Sequence, residues 1–147
     1  MLPNVNISLD PGEIYARKGL ARLVPVLRRC SVFMPSEKEL RILTGKPFRE
    51  GAKILLEHGV NVVAVKLGRK GCYVTNGEES HLIEPFDAEP VDKTGAGDAF
   101  CAGFLYGLVR KKDLYECGRL GNFVASRCIE KTGARAGLPK ASDLKSI

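Results

Sequence analysis

The chain has 147 residues, 44% hydrophobic and 27% charged. These are ordinary values for a soluble globular protein with room for a real core. No apolar run is long enough to cross a bilayer, and MLPNVNISLD lacks the basic-then-apolar order of a signal peptide. The formal charge of +6 comes without aromatic interleaving or a nucleic-acid module, so it reads as solvated surface rather than a nucleic-acid interface.

In chain order, Val5 to Asp10 reads as a buried strand ending at the Pro11-Gly12 turn. Ile14 to Arg28 carries Ala16, Leu20, Leu23, Val24 and Leu27 at helical spacing, with a break expected near Pro25. Ser31 to Met34 is a short strand. Ser36 then caps a helix through Leu43, which stops at Gly45. Phe48 to His58 is amphipathic and closed by Gly59, and Val60 to Leu67 is the strongest strand, apolar enough to be covered on both faces. Gly71 to Thr75 and Ser80 to Ile83 form a hairpin across Asn76-Gly77. Gly97 to Val109 and Asp113 to Ile129 are helices. Arg28, Arg29, Arg110, Lys111 and Lys112 fall at helix C-termini, where positive charge suits the dipole. This order predicts an α/β domain with a largely parallel sheet between helix layers.

Cys30, Cys72, Cys101, Cys117 and Cys128 form neither a C-x-x-C pair nor a metal spacing. Buried free thiols in a reducing cytoplasm are the simplest reading. His58 is a helix C-terminal residue and His81 falls in the hairpin; neither has a partner pattern that suggests catalysis. Gly103 and Gly107 would let helices pack closely, and Asp10 is a turn residue before Pro11-Gly12.

The chemistry concentrates in Val91 to Phe104, VDKTGAGDAFCAGF. Gly95, Ala96 and Gly97 are small enough for backbone to approach a ligand, and they open a helix whose first amides are free to bind an anion. Asp98 in the same turn could take a proton from an alcohol attacking phosphorus, or could simply charge the first turn.

Asp92-Lys93-Thr94-Gly95-Ala96-Gly97-Asp98-Ala99-Phe100, followed by Ala102-Gly103-Phe104, resembles the second signature of the PfkB/ribokinase family of carbohydrate kinases. The resemblance extends to Val65-Lys66-Leu67-Gly68-Arg69-Lys70-Gly71, similar to the strand-turn beside the nucleotide phosphates. It includes Pro35-Ser36-Glu37-Lys38-Glu39, similar to the N-x-x-E motif of the magnesium and phosphate site. Asn122 to Ala134 resembles the helix and loop that cover the adenine. It implies a ribokinase-like three-layer αβα fold with a mostly parallel sheet, and residues 1–147 as its C-terminal nucleotide-binding part. On this resemblance, the N-terminal half with its sugar signature and β-sheet lid is expected to lie outside these residues.

The resemblance further implies ATP and Mg²⁺ as cofactors and a sugar or sugar-like alcohol as acceptor. Asp98 would be the base, with the amides of Ala96, Gly97 and Asp98 as the anion hole beside Gly95. Lys66, Gly68, Gly71, Thr94, Asn122 and Gly133 would line the nucleotide. Glu39 would arrange magnesium waters, and Asp92, with the loop near Gly133, would hold K⁺. Ser36 departs from the family asparagine, having shorter reach and no amide. Lys66 stands where many members have threonine; its ammonium could reach a phosphate or snorkel from the strand end. The isolated chain is expected to be inactive or weak for want of the acceptor half. A non-catalytic nucleotide-binding fragment, covering its open sheet edge by homo-oligomerisation, and a nucleoside kinase of the same superfamily are the alternatives.

Overall fold

The computed structural model describes residues 5–147. Five strands lie in one sheet in chain order: β1 (Ser8–Leu9), β2 (Val32–Phe33), β3 (Val62–Lys66), β4 (Cys72–Thr75) and β5 (Ser80–Ile83). β1 and β2 are parallel with Ser8 beside Val32, and β2 and β3 are parallel with Val32 beside Val62. The chain divides into two compact units, Met1–Leu67 with Tyr73–Ser80, and Gly68–Cys72 with His81–Ile147.

In the first unit, α1 (Gly12–Ala16), α2 (Leu20–Leu27), α3 (Glu37–Thr44) and α4 (Phe48–Glu57) accompany β1 to β3. Leu27, Phe33, Leu40, Leu55, Val63 and Val65 are fully buried in one cluster. Each contributes roughly 1.5–3 kcal/mol of burial. The strand expected over Val5 to Asp10 is only the pair Ser8–Leu9. The break expected near Pro25 falls instead at Gly19, which takes φ +85 and starts α2. Pro25 is accommodated inside α2, where proline removes a single backbone donor from this short helix.

α3 ends as expected at Gly45, left-handed at φ +67. α4 is closed by His58, whose Nδ1 lies 2.8 Å from the Ile54 carbonyl, and by Gly59. The β4–β5 connection runs over residues 76–79, the interval between the two expected strands, and contains Asn76-Gly77. Within it, the Asn76 side chain accepts N–H bonds from Glu78 and Glu79.

In the second unit, α5 (Ala96–Val109) packs on α6 (Leu114–Cys128). The contact depends on glycine. A Cβ on Gly103 would lie 2.5 Å from the Leu120 carbonyl oxygen, and one on Gly107 would lie 2.9 Å from the Cys117 sulfur. α6 starts with a capping box in which Asp113 accepts from the Glu116 amide at 2.8 Å and Glu116 accepts from the Asp113 amide. Its start is one residue later than expected because Asp113 is the cap rather than the first helical residue. The five cysteines are free thiols, all but Cys101 buried. Desolvation pushes the Cys72 and Cys117 thiols up to about 12, with Asp113 and Glu116 adding at Cys117. No helix among the described residues is long and apolar enough to cross a membrane.

Candidate active site

In the second unit the loop before α5 is built around two features. Gly95 is the N-cap, left-handed at φ +79, with no side chain to cap the helix. A Cβ there would sit 2.5 Å from the Ala134 Cβ, so glycine answers both a backbone requirement and a close approach. Asp92 is the second feature. Its Oδ1 accepts from the Thr94 amide at 2.9 Å and its Oδ2 from the Gly133 amide at 2.8 Å. Those amides, Gly133 first, hold the Asp92 carboxyl below the usual carboxylate range. One carboxylate thus ties residues 92–95 to the 133–134 loop.

The first turn of α5 does not offer all three expected amides. Ala96 N–H already donates to the Lys93 carbonyl at 3.2 Å, because the left-handed Gly95 folds a turn just before the helix. The first bond with a carbonyl at the helix start is from Ala99 to Gly95 at 2.9 Å. The Gly97 and Asp98 amides make no such bond, so they are the pair left to meet an anion, aided by the dipole of this 14-residue helix. The Asp98 side chain is exposed at the mouth of the helix and is not turned into the interior. The arrangement can hold a negatively charged group on two N–H donors and present a carboxylate beside it. Below it lies Cys128, whose sulfur contacts the Thr94 and Ala134 carbonyls. Burial pushes its thiol up, and the charges of Asp92 and Asp98 push further.

Asn122 is buried on α6, and its Nδ2 donates to the Ile83 and Glu84 carbonyls at 3.1 and 2.9 Å. Its amide group therefore anchors the helix to the end of β5. Gly133 is left-handed at φ +83 in open space. Gly68 opens a single 3₁₀ turn, Gly68–Lys70, that carries the chain from β3 to Gly71. Gly71 must be glycine for a structural reason: at φ +84 its Cβ would lie 1.9 Å from the Ile83 carbonyl oxygen.

The first unit holds the remaining predicted residues at the C-terminal ends of its parallel strands, the edge where open α/β sheets take ligands. Ser36 and Glu39 form a capping box. Ser36 Oγ accepts from the Glu39 amide at 3.2 Å, and Glu39 Oε2 accepts from the Ser36 amide at 2.7 Å. The Ser-x-x-Glu spacing signals this box in the sequence; the expected Ser36 cap is joined in it by Glu39. One Glu39 oxygen is thereby spent on α3, and the residue is half-buried. Lys66 neither snorkels freely nor stands open. Its Nζ forms an ion pair with Asp10 Oδ2, a contact between residues 56 apart that no sequence pattern announced.

Neither of two open clefts touches residues 92–98. One, about 420 Å³, lies between α4 and the β4–β5 loop near Arg49 and Tyr73; the other, about 360 Å³, lies by Phe86 and Arg119. Among the described residues no cluster of three or more His, Cys, Asp or Glu side chains could hold a metal ion.

The pfkB family carbohydrate kinase profile matches residues 6–141. An uncharacterized sugar kinase of Archaeoglobus fulgidus is 47% identical over 138 residues, 94% of this chain and 55% of that protein. The ribokinase of Haemophilus influenzae is 31% identical, over 78% of this chain and 39% of its own length. Among solved structures, Arabidopsis thaliana ribokinase complexed with ribose and ATP superposes with a TM-score of 0.86 at 31% identity, covering 97% of this chain and 47% of that one. The Methanocaldococcus jannaschii nucleoside kinase gives 0.84 at 25% identity, with 98% and 48% covered. The chain spans about half the length of the relatives it matches. It has the ribokinase fold in part, with an open mixed sheet, and it belongs to the pfkB family of carbohydrate kinases, within the sugar and nucleoside kinases of the ribokinase superfamily.

Proposed function

We propose that this chain is the nucleotide-binding part of an enzyme that transfers the γ-phosphoryl group of ATP to a hydroxyl of a sugar or sugar-like alcohol. The observation that carries the reading is the start of α5: two unspent amides, Gly97 and Asp98, beside an exposed Asp98 carboxylate. Asp98 accepts the proton of the acceptor hydroxyl as its oxygen bonds to the γ-phosphorus. The bond from that phosphorus to the bridging oxygen breaks, and ADP leaves. The Gly97 and Asp98 amides hold charge on the transferring group. Gly95 lets them come close, and the Asp92 clip keeps the turn in place. Magnesium, when bound with the nucleotide, supplies positive charge at the phosphates. The spare oxygen of Glu39 is suited to hold one of its waters. Gly68, Gly71, Thr94, Asn122 and Gly133 shape the nucleotide's surroundings mainly through backbone. K⁺ would be met at Asp92 through lone pairs its two N–H bonds leave over; a potassium titration of nucleotide affinity tests this.

Ribokinases and nucleoside kinases both stand among the relatives, and the α5 machinery serves either acceptor. The free thiols fit a reducing, cytoplasmic setting. Since the chain spans about half of its relatives' length, the acceptor-binding groups are expected in the other half and phosphoryl transfer by this chain alone at or near background. The same fact favours a second reading, a non-catalytic nucleotide-binding chain that self-associates, visible by size-exclusion chromatography.

Calorimetric titration with ATP tests the site, and coupled ADP release with a panel of sugars and nucleosides tests the activity. ATP binding is expected, and its absence refutes the nucleotide site. Acceptor-dependent ADP release that Asp98→Asn removes would support the transfer and overturn the expectation of inactivity.

A further inference from the structure

The cleft by Phe86 and Arg119, about 360 Å³, lies wholly within the second unit, and none of residues 92–98 lines it. Its walls are held from behind. On α6 the Asp113–Glu116 capping box fixes the first turn, and Tyr115 and Arg119, four residues apart, share a face. Opposite, the Asn122 amide group pins the Ile83 and Glu84 carbonyls, and Phe86 meets the Phe123 ring edge-on with centroids 5.3 Å apart. Ile83 is buried while Leu82 and Glu84 on either side of it are exposed, as in a strand with one covered face. Arg119 is half-buried, with its guanidinium carbon 5.3 Å from the Phe86 ring centroid. Its Nε is the only buried side-chain nitrogen or oxygen without a partner among the described residues. The other guanidinium nitrogens have no hydrogen bond or ion pair with those residues either. Buried donors nearly always find an acceptor, and an exception beside a cleft points to a ligand.

We infer that this cleft binds a small monocarboxylate with an apolar body, held by Arg119 and separate from the nucleotide. The planar fork of an arginine pairs with a carboxylate through two parallel N–H bonds. With Nε covered, the donors a ligand can reach are those of the terminal nitrogens. Stacking on Phe86 already fixes the plane of the fork, so pairing costs little further rotamer freedom. Charge decides which anion fits. Glu84 is the other charged residue of the cleft, so one cation faces one carboxylate. A phosphate dianion would add repulsion from Glu84 with no second cation to offset it. The body of the ligand is set by Leu82 and Tyr115, which keep 53% and 43% of their exposure and offer an aliphatic and an aromatic surface. The volume falls at the small end of the roughly 300–1,000 Å³ that small-molecule sites occupy. Packing on Phe86 alone would account for the face of the guanidinium, but not for its unpaired N–H edge.

Proton–nitrogen NMR of the full chain, with the arginine Nε–H signals included, follows titration with sodium benzoate, and with neutral benzamide and inorganic phosphate for comparison. Benzoate is expected to move the Arg119 Nε–H signal and the amides of residues 82–86 saturably. Benzamide should bind about tenfold more weakly or worse, the scale of a charge-assisted hydrogen bond, and phosphate should also bind more weakly than benzoate. Arg119→Gln should lose benzoate by a similar factor, with thermal melts to confirm folding. Where Arg119→Gln does not fold, Arg119→Lys keeps stem and charge but loses the fork, and should still weaken benzoate. The absence of a saturable shift, or equal binding of benzoate and benzamide, overturns the inference. So does benzoate affinity unchanged in the folded Arg119 variant. Phosphate binding tighter than benzoate overturns the carboxylate class. ATP that displaces benzoate puts both in one site and overturns their separation. Wild type that binds benzoate but not ATP supports the inference and refutes the proposed function alone.

Discussion

Replacing Gly95 by alanine isolates what the turn before α5 requires. Two costs add. A residue with a Cβ at φ +79 pays the left-handed penalty of roughly 1–2 kcal/mol. The new methyl would also lie 2.5 Å from the Ala134 Cβ and 3.0 Å from its Cα. Relieving that overlap means moving backbone that the Asp92–Gly133 bond restrains, at roughly 1–3 kcal/mol. The sum, roughly 2–5 kcal/mol, is a large part of an ordinary domain's stability. Gly133→Ala is the matched control, since it takes φ +83 but meets nothing within 4 Å; it should pay the first cost only. Urea unfolding of the two variants, followed by circular dichroism, reads the difference as a shift in midpoint at constant slope. ATP affinity should fall for Gly95→Ala, because the Gly97 and Asp98 amides move with the turn. A Gly95→Ala midpoint equal to that of Gly133→Ala would show that the 134 loop yields freely, and the close-approach reasoning would be wrong.

Asp92 has its folded pKa lowered by the Gly133 and Thr94 amides. Its contribution is therefore present above the unfolded value near 3.9 and lost as pH falls through the folded one. Wild type should lose more stability than Asp92→Asn between pH ~5 and 2, read by urea midpoints across that range. Equal pH slopes would remove the carboxylate from the clip. Ser36→Ala removes one half of the α3 box and should cost about 1 kcal/mol, measured by denaturant unfolding; a neutral result would mean Glu39 alone satisfies the helix start. A thiol reagent at pH 8 should modify Cys101 first and leave Cys72 and Cys117 unreacted until urea is added, since thiols pushed up to about 12 hold almost no thiolate there. Rapid labelling of either in native conditions, read by mass spectrometry, would contradict their burial.

The sequence alone determined those features whose cause is local. The Gly45 and Gly59 stops and the serine cap of α3 follow from a few neighbouring residues, and so do the lengths of α4 and α5 to within a residue. The G-A-G-D run marked the start of α5 because small residues and a first-turn carboxylate stand next to one another in the chain. The break expected near Pro25 is a counter-example: the chain turns at Gly19 instead and carries Pro25 within α2. Tertiary structure alone decided whatever depends on residues far apart in sequence. It gave Asp92 a partner at Gly133, spent the Asn122 amide on Ile83 and Glu84, and set Lys66 against Asp10. A side chain's residue type fixes which hydrogen bonds it can make. Which of them it does make is settled only when packing brings a particular carbonyl, amide or charge within reach.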